Sequence, residues 1–147
     1  MTRLLRIGIA ALAVPATALV VSAGTAPAAT TPQPSVVLNL SARAPLNSTG
    51  KLAKVKVRVT CNNATAGPIT ATVTQNRGAV TAHGSGTAPA SAYKCNGKSH
   101  VVVVPVKAGR EARFHTGGAS ADSDVTVTGV DGTTTASSHD HRNIQLT

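Results

Sequence analysis

Hydrophobic and polar residues alternate with a period of two along much of the chain after residue 35. The alternation is clearest from Ala53 to Cys61, and shorter runs begin at Val36 and at Ile69. The polar parity of the longest run consists of Lys54, Lys56, Arg58 and Thr60. This period is typical of strands that bury one face and expose the other.

The second half of the chain predicts further short strands. A strand from Ala79 to His83 is expected to end at Gly84-Ser85-Gly86, because glycines weaken a strand. The apolar run from His100 to Val104 predicts a strand covered on both faces, and the alternation around Ala112 and Phe114 predicts another.

Two dipeptides, Asn96-Gly97 and Asp131-Gly132, indicate tight turns because their residues tolerate positive φ. No segment after residue 28 has a helical period. Seven to nine short strands joined by Gly, Pro and Asn turns predict an all-β fold. We expect a single antiparallel β-sandwich that is immunoglobulin-like in architecture.

The N-terminal residues have the pattern of a cleaved signal peptide. Arg3 and Arg6 precede an apolar stretch that ends near Val21, and Ala26-Pro27-Ala28 supplies the small residues that a signal peptidase reads. We expect cleavage after Ala28, with a second candidate site after residue 23, secretion, and no transmembrane anchor in the mature chain. The predicted organisation is a signal peptide over residues 1–28, a flexible lead-in over residues 29–35 and a β-sandwich domain over residues 36–147.

The mature chain is basic and poor in aromatic residues. Export leaves twelve Lys and Arg residues against five acidic ones, with one Tyr, one Phe and no Trp. A core built mainly from Val and Ala has little aromatic bulk, so we expect it to need a covalent cross-link for stability. Cys61 and Cys95 are expected to form a disulfide, since exported proteins meet an oxidising environment.

The row Lys54, Lys56 and Arg58 is a candidate anion-binding site, because alternate residues of a strand project side by side. The alternative interpretation is a solvated strand face that keeps an edge from pairing. Tyr93 and Phe114 are the only aromatic residues, which disfavours nucleic-acid and sugar surfaces that depend on stacking.

His139 and His141 are a candidate metal pair, because residues two apart on a strand point the same way. The alternative is a solvated polar turn. The residues that are candidates for a third ligand are His83, His115, Asp122 and Asp124. The chain lacks a Gly-x-Ser-x-Gly elbow and a free nucleophilic cysteine, so we expect no enzymatic activity and no cofactor.

Three short motifs carry a resemblance to a family. Thr60-Cys61, Gly67-Pro68 and Lys94-Cys95-Asn96-Gly97, followed by His100, resemble an uncharacterised family of small secreted actinobacterial proteins, a domain of unknown function. The resemblance covers about residues 50–147 and implies secretion, a β-sandwich and one disulfide; it implies no activity. From the basic composition and the row Lys54, Lys56 and Arg58, we expect a secreted, non-catalytic, basic protein that binds an anionic cell-envelope polymer or a protein partner. The alternative is an extracellular carrier of a small ligand or a metal.

Overall fold

The computed structural model describes residues 30–147, and the predicted signal peptide lies outside these described residues. Within this range the chain forms nine strands and one short 3-10 helix (Ala90–Ala92), with no α-helix. None of its helical structure is long and apolar enough to cross a membrane. The strands are β1 (Ser35–Leu40), β2 (Arg43–Ala44), β3 (Leu52–Asn62), β4 (Ala64–Thr65), β5 (Ile69–Arg77), β6 (Val80–Ala88), β7 (Ser99–Ala108), β8 (Gly117–Gly129) and β9 (Thr135–Leu146).

The strands of the described region join in one sheet. Its order is β1-β3-β7-β6-β5-β8-β9-β2, and β4 pairs with β8. Neighbouring strands are antiparallel, except that β2 runs parallel to β9. The sheet curls into a half-barrel. The predicted all-β class is confirmed, whereas the two-sheet sandwich and the immunoglobulin-like architecture are not confirmed, because backbone hydrogen bonds continue through a single sheet.

Side chains of β9 form hydrogen bonds with the backbone of the edge strand β1. The backbone N–H groups of Leu38 and Leu40 donate to Ser138 Oγ at 3.1 Å and to Asp140 Oδ2 at 2.6 Å. The Arg142 guanidinium donates to the Leu40 carbonyl oxygen at 2.8 Å. The outer edge of β1 therefore has hydrogen-bond partners without a backbone ladder to β9.

The concave face of the sheet holds the core, which consists mainly of Val, Ala and Leu. In β3 the buried and exposed residues alternate as predicted from Ala53 to Cys61. Phe114 is buried, but it lies in the loop between β7 and β8, so the strand predicted around it is wrong. Its backbone N–H donates to the Gly50 carbonyl at 2.9 Å, and this contact helps to hold the ring over the core.

β6 continues through its glycines to Ala88, so the strand end predicted at Gly84 is wrong. The reason is the close approach of β7. A Cβ at Gly84 would lie 2.6 Å from the Lys107 carbonyl oxygen, and one at Gly86 would lie 2.1 Å from the Pro105 carbonyl oxygen. These glycines mark a site of backbone contact inside the sheet, which is one of the roles of glycine within strands.

A disulfide joins β3 to the connection between β6 and β7. The S–S distance between Cys61 and Cys95 is 2.01 Å, which confirms the predicted bond. Nearby, the Gly97 N–H donates to the Cys61 carbonyl at 2.9 Å. The Tyr93 hydroxyl donates to the Gly67 carbonyl at 2.8 Å and accepts from the Gly67 N–H at 3.1 Å. Covalent and hydrogen bonds together hold this connection against the sheet.

Both predicted turn dipeptides form bends with a glycine at positive φ, 75° at Gly97 and 73° at Gly132. The turn at Gly132 joins β8 to β9, as predicted. Asp131 stabilises it by accepting hydrogen bonds from the N–H groups of Thr133 and Thr134, and these bonds lower the pKa of Asp131 to about 2. The bend at Gly97 is preceded by the 3-10 helix and irregular chain and leads into β7, so it does not join two strands as a hairpin turn would.

Candidate functional site

The convex surface of β1, β3 and β7 carries the predicted cationic row. Lys54, Lys56 and Arg58 are exposed on β3, while the residues between them are buried. β7 pairs with β3 along the whole row, whereas β1 pairs with β3 beside Arg58 and ends before Lys56. Alternate strand residues are about 6–7 Å apart, so the three charges form a regular line.

Exposed valines flank this row on both sides. Val101 is paired with Arg58 and Val103 with Lys56 in the register of β3 and β7, while Val37 lies on β1. Their exposed fractions are 60%, 45% and 55%. The prediction that the run from His100 to Val104 is covered on both faces is therefore wrong. We call the three cations and these three valines the cationic face.

No acidic residue lies on the three strands that carry the cationic face. β1, β3 and β7 contain no Asp or Glu. In the described part of the chain, the ion pairs all join histidines of β9 to aspartates of β8. Lys54, Lys56 and Arg58 therefore form no ion pair within residues 30–147, which leaves their side chains available to anions from solution.

A second group of side chains, which includes the candidate metal ligands, lies on the convex surface of β8 and β9. The register places Asp122 opposite His141 and Asp124 opposite His139. His141 Nδ1 is 2.7 Å from Asp122 Oδ1, and His139 Nδ1 is 2.8 Å from Asp124 Oδ1. His139 Nε2 lies 3.6 Å from Asp122 Oδ1. We call these four residues the His–Asp cluster.

The hydrogen bond that His139 donates to Asp124, together with the negative charges around it, raises the pKa of His139 above its ordinary value of 6.5. All four side chains of the His–Asp cluster are between 38% and 63% exposed, so solvent and ions reach them. Of the third-ligand candidates, the structure brings Asp122 and Asp124 to the histidine pair. His83 lies instead on β6, with its Nδ1 3.1 Å from Thr74 Oγ1, and His115 lies in the loop after β7.

An open cleft of about 640 Å³ lies beside the loop between β7 and β8, and sequence reasoning missed it. Arg77 and Arg113 line it, together with Gln75, which is buried. Gln75 Nε2 donates to the His115 carbonyl at 2.8 Å, and Gln75 Oε1 accepts from the His115 N–H at 2.9 Å. A single Gln on a strand with otherwise apolar inward positions was the only sequence signal that β5 anchors a neighbouring loop.

The described residues thus present a cationic face, a His–Asp cluster and a loop cleft at different places on the sheet. Comparison with protein-family models and with curated proteins finds no match to this chain. The chemistry of these surfaces is therefore what indicates a function.

Proposed function

We propose that this protein is a secreted, non-catalytic module that binds an anionic polymer of the cell envelope through the cationic face. The observation that carries the proposal is the line formed by Lys54, Lys56 and Arg58, with no acidic residue on the three strands around it. The predicted signal peptide supports an extracellular location.

A linear polymer is the ligand that suits this line best. One exposed ion pair is worth at most about 1 kcal/mol, so a single small anion gains little from one lysine. A chain of phosphates or carboxylates contacts several cations at once, and its later contacts form at a high effective concentration. A strand holds its three cations in line at a fixed spacing, so little conformational freedom is lost when the polymer lies along it.

The valines next to the cations strengthen this interaction in two ways. Apolar side chains beside Lys56 and Arg58 reduce the local water, which makes the attraction between opposite charges stronger than in bulk solvent. Val101 and Val103 also offer a surface to the carbon backbone of a polymer. Binding is thus expected to be mainly electrostatic with a smaller apolar contribution.

Co-sedimentation with isolated cell envelopes tests the proposal. Salt is raised from about 0.01 M to about 1 M, over which the Debye length falls from about 30 Å to about 3 Å. The test variant is Lys54→Glu/Lys56→Glu/Arg58→Glu. The matched control makes the same change of charge at exposed positions outside the cationic face: Lys94→Glu/Lys98→Glu/Arg110→Glu.

We expect binding at low salt that fades as salt rises and that is lost in the test variant but kept in the control. Equal loss in both variants would show that net charge acts and the line does not. A third variant, Val101→Thr/Val103→Thr, separates the class of partner. A larger loss in this variant than in the charge-reversed one would refute the polymer and indicate a protein partner held by apolar contact.

The alternative function, an extracellular carrier of a small ligand or a metal, has one specific observation in its favour. The His–Asp cluster places two hydrogen-bonded pairs of histidine and aspartate side by side on two neighbouring strands. The loop cleft is open and carries arginines, but nothing in its geometry selects one small molecule.

A further inference from the structure

The His–Asp cluster contains an arrangement that orients an imidazole for metal binding. Asp124 Oδ1 accepts the hydrogen bond from His139 Nδ1 at 2.8 Å, which leaves the lone pair of His139 Nε2 free. That nitrogen lies 3.6 Å from Asp122 Oδ1. A carboxylate that holds the second nitrogen of a ligand histidine fixes the tautomer and the ring direction, and it increases the basicity of the ligand.

We propose that His139, His141 and Asp122 form a binding site for Zn²⁺ and that Asp124 is its positioning residue. The site lies on the outer surface of β8 and β9, on strands other than those of the cationic face. Zinc binding at this site and polymer binding by the cationic face can therefore be tested independently.

The distances explain both the fit and the change that zinc requires. Zinc holds N and O ligands at about 2.0–2.2 Å in tetrahedral geometry, which puts two ligand atoms about 3.3 Å apart. The 3.6 Å between His139 Nε2 and Asp122 Oδ1 is close to that separation. The 2.7 Å between His141 Nδ1 and Asp122 Oδ1 is a hydrogen-bond length and is too short for a shared metal.

In these rotamers no three metal-ligating side chains converge within residues 30–147, and His141 and Asp122 are joined by a hydrogen bond that zinc has to replace. Zinc replaces the proton between His141 and Asp122. If His141 is neutral, its Nδ1 proton is lost to solvent and Nε2 takes up a proton in exchange. If His141 is an imidazolium, the Nδ1 proton is released to solvent and the Nε2 proton stays. The oxygen and the nitrogen then separate by about half an ångström. The side chains are exposed, so this movement leaves the core packing in place.

Three protein ligands leave the fourth zinc position to water. Because the site faces solvent on an open sheet surface, the metal can enter and leave without a conformational change of the fold. Such a site suits reversible capture of zinc better than a structural role, since structural zinc sites are usually closed by four protein ligands.

Calorimetric titration with zinc chloride near pH 7.5 tests the site, with native mass spectrometry for stoichiometry. The protein carries no polyhistidine tag and is first treated with a chelator. The ligand variants are His139→Ala, His141→Ala and Asp122→Asn, and the positioning variant is Asp124→Asn. The matched control is His83→Ala, an exposed histidine on the same face of the sheet.

We expect one Zn²⁺ per chain, loss of saturable binding in the ligand variants and unchanged binding in the control. Asp124→Asn is expected to weaken the affinity by about 10- to 100-fold with the stoichiometry kept, which is the typical effect of removing an outer carboxylate. Circular dichroism verifies that each variant is folded. The proposal is overturned by the absence of saturable binding, by binding that survives His139→Ala together with His141→Ala, or by equal weakening in His83→Ala.

Discussion

Loss of the disulfide between Cys61 and Cys95 is expected to lower the free energy of unfolding by about 4 kcal/mol. The cysteines are 34 residues apart. In the chain-entropy model, closing a loop of this length removes about 13 cal/mol/K from the unfolded ensemble, which is about 4 kcal/mol at 25 °C. That is a large share of the 5–15 kcal/mol typical of a domain, and this core has only Tyr93 and Phe114 as aromatic residues.

Urea unfolding of the oxidised protein, the reduced protein and Cys61→Ala/Cys95→Ala measures this contribution. The chain has no Trp, so far-UV circular dichroism is the suitable signal. The reduced protein isolates the effect of the cross-link, whereas the double variant also loses the packing of the buried Cys61 side chain and is expected to be slightly less stable. A loss below about 1 kcal/mol on reduction would refute the reasoning, because it would show that the loop is already constrained without the bond.

Two further predictions concern the sheet and its titrating groups. Gly86→Ala is expected to destabilise the protein by about 1–3 kcal/mol in urea unfolding, since its Cβ would lie 2.1 Å from the Pro105 carbonyl oxygen. Gly118→Ala, which meets no atom within 4 Å, is the control and is expected to change stability by less than about 0.5 kcal/mol; equal effects would contradict the close approach of β6 and β7. The pKa of His139 is raised mainly by Asp124, so protonated His139 stabilises the fold fully below about pH 6.5, and this stabilisation is lost as the pH rises through the folded-state pKa. An NMR titration of the imidazole is expected to give a midpoint above 6.5 that falls in Asp124→Asn, and a midpoint at or below 6.5 would be inconsistent with this pairing.

The sequence pattern predicted the strands that obey simple alternation and missed those that depend on distant contacts. β3 has the predicted faces because its period of two is strict from Ala53 to Cys61. The valines at 101 and 103 show the limit of that reasoning. A run of identical apolar residues does not reveal which face meets solvent, and the register with β3 places them outward.

For the candidate sites too, alternation predicted some features and contacts between distant residues decided the others. The exposure of Lys54, Lys56 and Arg58 followed from alternation alone, since charged residues occupy the solvent face of a half-buried strand. The histidine pair was also visible as two residues on one face of a strand. The sequence left four candidates for its third ligand, and only the register of β8 and β9 selects Asp122 and Asp124 from them.

The sequence by itself determined the all-β class, the faces of the regular strands and the disulfide, because these depend on local periodicity and on a single possible cysteine pair. The tertiary structure decided that the strands form one curled sheet, that β6 runs through Gly84 and Gly86, and which aspartates face the histidines. Register and close approach arise from contacts between residues far apart in the chain. A period of two is the same for every possible neighbour of a strand, so it contains no information about which neighbour is chosen.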